Sequence, residues 1–229
     1  MKVSIIIPCY NEVRTIEEII TKVKNEKSCN KEIILIDDGS NDGTVDIIKA
    51  KLEKTIDHLI LNNKNYGKGY SIRKGIEVAT GNIILIQDAD LEYDPEDYKK
   101  ILEPIIRGYA DVVYGSRFIG GEEKRVLFFW HSIANFWLTK LSNMLTNLNL
   151  TDMEVCYKCF KAEIIKNIKL NENRFGFEPE VTAKISKKNL RIFEVGVKYY
   201  GRNYLQGKKI NWKDAISAVR CIFLYNLFS

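Results

Sequence analysis

Gly81-Asn82-Ile83-Ile84-Leu85-Ile86-Gln87-Asp88-Ala89-Asp90-Leu91-Glu92-Tyr93-Asp94-Pro95 is the stretch that decides the fold. The apolar run over residues 83–86 is too short for a helix and is framed by Gly81 and a group of acids. It predicts a strand buried on both faces. Asp88, Asp90 and Glu92 alternate just beyond it. In an open α/β sheet, ligands bind at the carboxyl ends of the strands. If the chain stays extended there, three carboxylates share one side, and a divalent cation is their natural neutraliser. A few hard oxygen ligands suit Mg²⁺ or Mn²⁺, with water and phosphate oxygens filling the other positions. The bland alternative is a solvated acidic turn ahead of a helix begun by Pro95. Taken alone, the stretch supports both readings equally.

Upstream, residues 3–7 predict a β-branched strand closed by Pro8-Cys9-Tyr10-Asn11. A helix follows from about Glu12, with Ile16, Ile19, Ile20 and Val23 on one face. Residues 33–36 form a second buried strand ending in Asp37-Asp38-Gly39-Ser40. Asn41-Asp42-Gly43-Thr44 then turns into a helix around residues 45–52. A third strand near residues 58–61 runs into Asn65-Tyr66-Gly67-Lys68-Gly69, which opens a helix through Ala79. Downstream, a helix over about residues 95–107 leads to a fifth strand, Val112-Val113-Tyr114. Strand and helix alternate with short connections, which predicts a parallel doubly wound sheet.

The 229 residues allow one well-buried α/β domain with room for an appendage. A net charge of +5 suits anionic substrates or an anionic membrane surface and is weak support for nucleic acid, which is not expected as a partner. Cys9, Cys29, Cys156, Cys159 and Cys221 are odd in number and scattered, unlike a secreted disulfide framework. Cys156 and Cys159 have the spacing of a zinc or redox pair, but no second pair accompanies them, so they read as structural or idle thiols. The start runs straight into a strand with no signal peptide, and no apolar stretch reaches the roughly 18–20 residues needed to cross a bilayer. The expected location is cytoplasmic, with membrane contact only at the surface.

From Trp130 onward, Ile133, Trp137, Leu141, Met144 and Leu148 recur at spacings of three and four, widened by Phe128, Phe129 and Phe136. Trp212, Ile216, Val219, Phe223 and Leu227 make a second stripe, flanked by Lys208, Lys209, Lys213 and Arg220. Either stripe alone points to core packing. The pair with its basic neighbours also fits peripheral attachment to an anionic membrane surface, with a partner membrane protein or a homo-oligomer as the alternative cover.

Three strand ends carry polar chemistry: Pro8, Tyr10 and Glu12; Asp37 and Asp38; Gln87, Asp88, Asp90 and Glu92. In a parallel sheet they project from one edge, as a nucleotide crevice requires, with an aromatic ring for the base and carboxylates for ribose hydroxyls. Lys68 and Arg73 would neutralise phosphate. Gly67-Lys68-Gly69 lacks the upstream glycine and following Ser or Thr of a Walker A loop, and it is not a dinucleotide fingerprint. An ATPase or a dehydrogenase is therefore unsupported.

Taken together, Ile5-Ile6-Ile7-Pro8-Cys9-Tyr10-Asn11-Glu12, Asp37-Asp38-Gly39-Ser40-Asn41-Asp42-Gly43-Thr44, Asn65-Tyr66-Gly67-Lys68-Gly69 and Asp88-Ala89-Asp90 resemble the signature set of family-2 glycosyltransferases. Gly115-Ser116-Arg117-Phe118, Thr151-Asp152-Met153 and Gly201-Arg202-Asn203-Tyr204 resemble the dolichyl- or polyprenyl-phosphate sugar transferase branch. The resemblance implies an α/β GT-A fold, a Rossmann-like nucleotide-diphospho-sugar transferase with a mainly parallel sheet. It would occupy residues 1–206, including an aromatic interface helix at about 126–148, and a C-terminal amphipathic helix would fill 207–229.

The implied reaction is inverting transfer of a sugar from a nucleotide-sugar donor, GDP-mannose or a UDP-sugar, to a polyprenyl phosphate. Pro8, Tyr10, Glu12, Asp37, Asp38, Lys68, Arg73, Gln87 and Asp88 would contact the donor. Asp88, Asp90 and Glu92 would hold Mg²⁺ or Mn²⁺, although family members often carry Gln where Glu92 stands. Asp90, Arg117, Arg202 and Asp152 form the implied catalytic set, the arginines as planar donors to the acceptor phosphate. A phosphate monoester has a second pKa near 6 and needs no general base, whereas a hydroxyl acceptor would need one, with Asp152 or Glu180 available. Such a hydroxyl-directed enzyme is one alternative, and an inactive nucleotide-sugar-binding protein is another. A basic residue expected at the start of the aromatic helix is represented here by Arg125 or His131.

Overall fold

The computed structural model describes residues 1–126, 128–203, 207, 209 and 212–228. Tyr204 and Lys208 lie outside these described residues. The elements in chain order are β1 (Lys2–Cys9), α1 (Ile16–Asn25), β2 (Asn30–Asp37), α2 (Thr44–Ile47), β3 (His58–Leu61), α3 (Lys68–Val78), β4 (Ile83–Ile86), α4 (Tyr98–Ile106), β5 (Val112–Ser116), α5 (Phe129–Thr146), β6 (Lys158–Lys161), α6 (Ala162–Ile165), α7 (Phe177–Ser186), β7 (Ile192–Gly196) and α8 (Trp212–Leu227).

The strands form one sheet in the order β3-β2-β1-β4-β6-β5-β7. β4 pairs in parallel with β1, Val3 facing Ile83 and Ile6 facing Ile86, and all four β4 residues are buried. The mainly parallel GT-A sheet expected from the sequence is therefore present. Its core is an aliphatic layer in which Ile5, Ile6, Ile34, Leu35, Ile84 and Leu85 are fully enclosed.

β6 was not visible in the sequence. It runs antiparallel to both β4 and β5, wedged between them. Its residues, Lys-Cys-Phe-Lys, lack an apolar run, because Lys158 is itself fully buried: its ammonium donates to the carbonyls of Met153 and Val155 and lies 4.6 Å from the Tyr114 ring centroid.

The aromatic stripes do not enter the core. On α5 the core-facing positions are Leu138, Leu141, Leu145 and the following Leu148, while Trp130, Phe136, Trp137 and Met144 are exposed. The most buried α5 residues are polar, and they hold neighbouring loops: Asn143 brackets Leu150 with two hydrogen bonds of 2.7 and 3.1 Å, and Thr139 accepts from the Met153 N–H. On α8 the whole stripe read from sequence is exposed. Asp214, Ala218, Cys221, Ile222 and Tyr225 form the face that packs on α7 and α5.

Candidate active site

A cleft of about 1040 Å³ opens where β1, β2 and β4 end, the upper range for a small-molecule site. Lys68 stands at the start of α3 because the chain at 172–174 passes close by: a Cβ at Gly67 or Gly69 would collide with the carbonyls of Asn173 and Glu172. Its ammonium lies 2.9 Å from Asp88 and 3.3 Å from Glu178. Burial works against the Asp88 carboxylate, but Lys68, the Cys156 thiol and Arg202 together outweigh it and hold the group below its ordinary pKa.

The rim acids converge on one cation. The Arg202 guanidinium donates to both oxygens of Glu12 at 3.0 and 3.1 Å and to Asp90 at 2.8 Å, and the Arg202 N–H donates to Glu92 at 2.7 Å. Lys209 adds a 2.6 Å contact to Glu12, and the Tyr199 hydroxyl donates to Glu92 at 2.9 Å. Burial first, then the neighbouring charges of Glu92 and Asp88, push the Asp90 carboxyl up to about 8 against the pull of Arg202.

On the other wall, Asp152 is fully buried and grips Arg117 side-on: Nε donates to Oδ2 at 2.6 Å and Nη2 to Oδ1 at 2.7 Å. Asn135 also bonds both members of the pair. Arg117 stacks over the Tyr199 ring at 5.2 Å, which fixes its plane from a second side. At the mouth stand Phe128, Trp130 and Trp212, together with Lys124, Arg125 and His131.

Pro8, Tyr10, Glu12, Asp38, Lys68, Asp88, Asp90, Glu92, Arg117 and Arg202, all expected from sequence, line this one cleft. Four expected contacts are placed elsewhere. Asp37 turns under its own turn, accepting from the N–H groups of Gly39 and Ser40 and from the Ser40 hydroxyl. Gln87 is fully buried, its Oε1 accepting from the hydroxyls of Tyr98 and Tyr157. Arg73 is drawn away to the Glu172 carbonyl and the Asn173 side chain. Asp152 lies behind Arg117 rather than in the cavity. Glu180 is enclosed as well, accepting from the N–H groups of Asn171 and Glu172 and from Lys184.

Asp38, although at the cleft surface, is committed to Asn62, Tyr66 and Gly67, so it braces the loop that carries Lys68. Sequence reading passed over Glu154, Glu178 and Tyr199. Glu178 carried a faint signal. It precedes Glu180 in Phe-Glu-Pro-Glu, and of that pair it is the one that reaches the cleft.

Residues 4–169 match the family described as Glycosyl transferase family 2. The chain belongs to this glycosyltransferase family. It is 30% identical over 199 residues to the undecaprenyl-phosphate 4-deoxy-4-formamido-L-arabinose transferase of Aeromonas hydrophila, a match covering 85% of this chain and 59% of that protein. It is 29% identical over 217 residues to the dolichol-phosphate mannosyltransferase of Pyrococcus furiosus, covering 92% and 61%. The chain thus spans about three-fifths of the length of these relatives. Their names agree with the branch that the sequence resembles.

The crystal structure of glucosyl-3-phosphoglycerate synthase from Mycobacterium tuberculosis with Mn²⁺, UDP and glucosyl-3-phosphoglycerate aligns with a TM-score of 0.77. That alignment covers 98% of this chain and 80% of that one at 15% identity, which bears out the fold. Another structure of the same enzyme holds Mg²⁺ and UDP and aligns with a TM-score of 0.72 at 14% identity, covering 98% and 79%.

Proposed function

We propose that this glycosyltransferase moves a glycosyl group, with inversion, from a nucleotide-sugar donor to a polyprenyl phosphate. The observation that supports this reading is the two-walled cleft: clustered carboxylates at the ends of β1 and β4 face a braced Arg117, beneath a mouth of exposed aromatic side chains. In the step proposed, an acceptor phosphate oxygen forms a bond to the anomeric carbon while the bond to the donor diphosphate breaks. The bonding pair leaves with the nucleoside diphosphate, and no proton has to move.

Arg117 would bind and orient the acceptor phosphate. Asp152 and Asn135 engage its Nε and Nη2, which leaves Nη1 as the end of the fork that neither of them takes. Neither carboxylate expected to act as a base is placed to do so, since Asp152 is spent on Arg117 and Glu180 on the backbone. Arg202 holds Glu12 and Asp90, and an incoming diphosphate would compete for its guanidinium.

Among the described residues no three acids, cysteines or histidines close on a single point as a metal cage. The donor set nonetheless fits a divalent ion shared with a diphosphate. Asp90 stays proton-hungry even with Arg202 beside it, and Asp88 and Glu92 flank it. Asp90 with one of these neighbours would hold Mg²⁺ or Mn²⁺, which when bound supplies Lewis-acid neutralisation of the leaving group.

The mouth fits an anionic membrane surface. Trp130, Trp137 and Trp212 are 76, 66 and 69% exposed, beside Lys124, Lys140 and Lys213, and the apolar patch is continuous with the cleft wall that would receive a lipid phosphate. No helix among the described residues is long and apolar enough to cross a membrane.

The test is to incubate the chain with labelled nucleotide sugars and a short polyprenyl phosphate. Lipid-linked product is expected, and Arg117→Lys should lower kcat/KM by about ten- to a hundredfold because a point charge replaces a planar fork. Product formed on a neutral saccharide instead, with Arg117→Lys tolerated, would overturn the acceptor assignment. Sedimentation with anionic vesicles should weaken as salt rises and in Trp130→Ala/Trp212→Ala. A self-associating chain that ignores vesicles would show that a second copy covers these helices.

A further inference from the structure

Four buried side-chain nitrogen or oxygen atoms lack a hydrogen-bond partner among the described residues: Ser71 Oγ, Glu154 Oε1, Glu178 Oε2 and Arg202 Nε. All four residues line the same cleft. Buried polar atoms are nearly always paired, because an orphan loses its water without compensation. Such atoms gathered in one cavity mark where a polar ligand completes them. Arg202 Nε belongs to the rim cation already described. The other three belong to the floor.

The floor is built rather than incidental. Ser71 is fully buried one turn beyond Lys68 on α3, and Glu178, 3% exposed, sits in the first turn of α7, where the helix dipole favours a carboxylate. Glu178 gives Oε1 to Lys68 and keeps Oε2 unpaired. Glu154 follows the Asp152 that braces Arg117. Burial first, then the charge of Glu178, push its carboxyl up to about 8, while the buried Lys158 pulls the other way. A divalent ion is poorly matched to this floor, since the Lys68 ammonium already stands 3.3 Å from Glu178. What is missing is a set of neutral donors.

We propose that Ser71, Glu154 and Glu178 receive the hydroxyl groups of the donor's glycosyl ring, so that the site selects a neutral, hydroxyl-bearing sugar and rejects a hexuronate. The proposal rests on the donor reading above and names its sugar class. Ring hydroxyls are neutral O–H donors, and a bond from O–H to a carboxylate is short and charge-assisted. The Ser71 hydroxyl can donate or accept, so it suits a neighbouring hydroxyl of either polarity. A ring carboxylate would set a second negative charge against Glu178 at low dielectric and would offer its unpaired oxygen no hydrogen. A site built around hydroxyl donors also discriminates strongly against an analogue that lacks one.

Calorimetric titration of the full chain tests this with UDP, GDP, UDP-glucose, UDP-glucuronate, GDP-mannose and GDP-mannuronate, followed by mono-deoxy versions of whichever neutral sugar nucleotide binds. On the unsubstituted chain, the uronate and at least one deoxy donor should bind about ten- to a hundredfold more weakly than the parent sugar nucleotide. Glu178→Gln and Ser71→Ala should weaken the parent sugar nucleotide, leave the bare nucleoside diphosphate within about twofold, and add little further loss to the sensitive deoxy donor, as coupled partners do.

Equal affinity for the hexose and the uronate, or indifference to every deoxy position, would overturn the subsite even if the variants fail to fold. Variants that weaken sugar nucleotide and nucleoside diphosphate alike would overturn it too, by showing that these residues serve the nucleotide. If no sugar nucleotide binds the unsubstituted chain, the donor reading itself falls and the subsite falls with it.

Discussion

At the rim, Glu12, Asp90 and Glu92 crowd around Arg202, with Lys209 and Tyr199 behind; at the floor of the same cavity, Glu154 and Glu178 keep oxygens that nothing in the described chain satisfies. Both groups are buried or half-buried acids from loops and helix starts, so residue type does not separate them. The difference lies in what each is matched to receive. Rim acids neutralised by a displaceable cation suit exchange with another positive species. A floor acid already paired with a fixed ammonium, as Glu178 is with Lys68, suits neutral hydrogen-bond donors. One cavity thus presents a charge-matched rim and a donor-matched floor, which is what a ligand with a charged diphosphate and an uncharged ring requires.

The largest expected effect comes from breaking the rim. Asp90→Ala removes the acid most starved of positive charge, and turnover should fall about a thousandfold, ~4 kcal/mol of transition-state stabilisation. Far-ultraviolet circular dichroism should stay unchanged, because among the described residues Asp90 bonds its own turn and Arg202. Full activity of the unsubstituted chain in excess chelator would remove the divalent ion from the account and leave the rim to Arg202 and Lys209.

Arg202→Gln sharpens the comparison by stripping the rim of its cation while leaving the floor intact. With a side chain 15% exposed, Arg202 bridges acids that are 6–17% exposed, so its loss leaves carboxylates repelling one another at reduced dielectric. Stability should drop by ~2 kcal/mol, which for a chain of this size is about 4–8 °C in Tm. Millimolar Mg²⁺ or Mn²⁺ should recover much of that drop in the variant and add less to the unsubstituted protein. No recovery would show that Arg202 anchors its segment structurally and does not hold a place for a cation.

What the sequence disclosed follows from where chemistry sits relative to a strand. Asp88, Asp90 and Glu92 directly follow a buried apolar run, so their edge of the sheet was legible. Direction was harder to read. Successive side chains on a strand point to opposite faces, so next to a cleft-facing Asp88 the adjacent Gln87 turns inward to Tyr98 and Tyr157, as Asp37 turns away beside Asp38. Asp152 stood in the expected catalytic set, but its partner Arg117 is 35 residues away, a pairing no local pattern encodes. The stripes on α5 and α8 have helical periodicity whether their apolar side faces the core or the outside. Periodicity cannot say which, and here polar Thr139, Asn143 and Asp214 took the inner face. The floor acids left almost no trace, because isolated glutamates at a helix start or in a loop look like solvated surface.

The smallest effect belongs to the floor and separates it from the rim by pH. The Glu154 carboxyl is raised from 4.5 to about 8, so between those values the folded chain holds a proton that the unfolded chain has released. Stability then falls as pH rises through this window and levels off above about 8, because the folded state binds more protons than the unfolded one. Glu154→Gln cannot release that proton. Its Tm relative to the unsubstituted chain should therefore climb from pH 5 to pH 8 and stay constant beyond. A neutral sugar nucleotide held by the floor should flatten the same profile in the unsubstituted protein, since hydroxyl donors satisfy the carboxylate without a proton. The bare nucleoside diphosphate should leave the slope as it was. A Tm difference independent of pH would mean that Glu154 is ionised throughout, and the contrast between a cation-matched rim and a donor-matched floor would then rest on Glu178 and Ser71 alone.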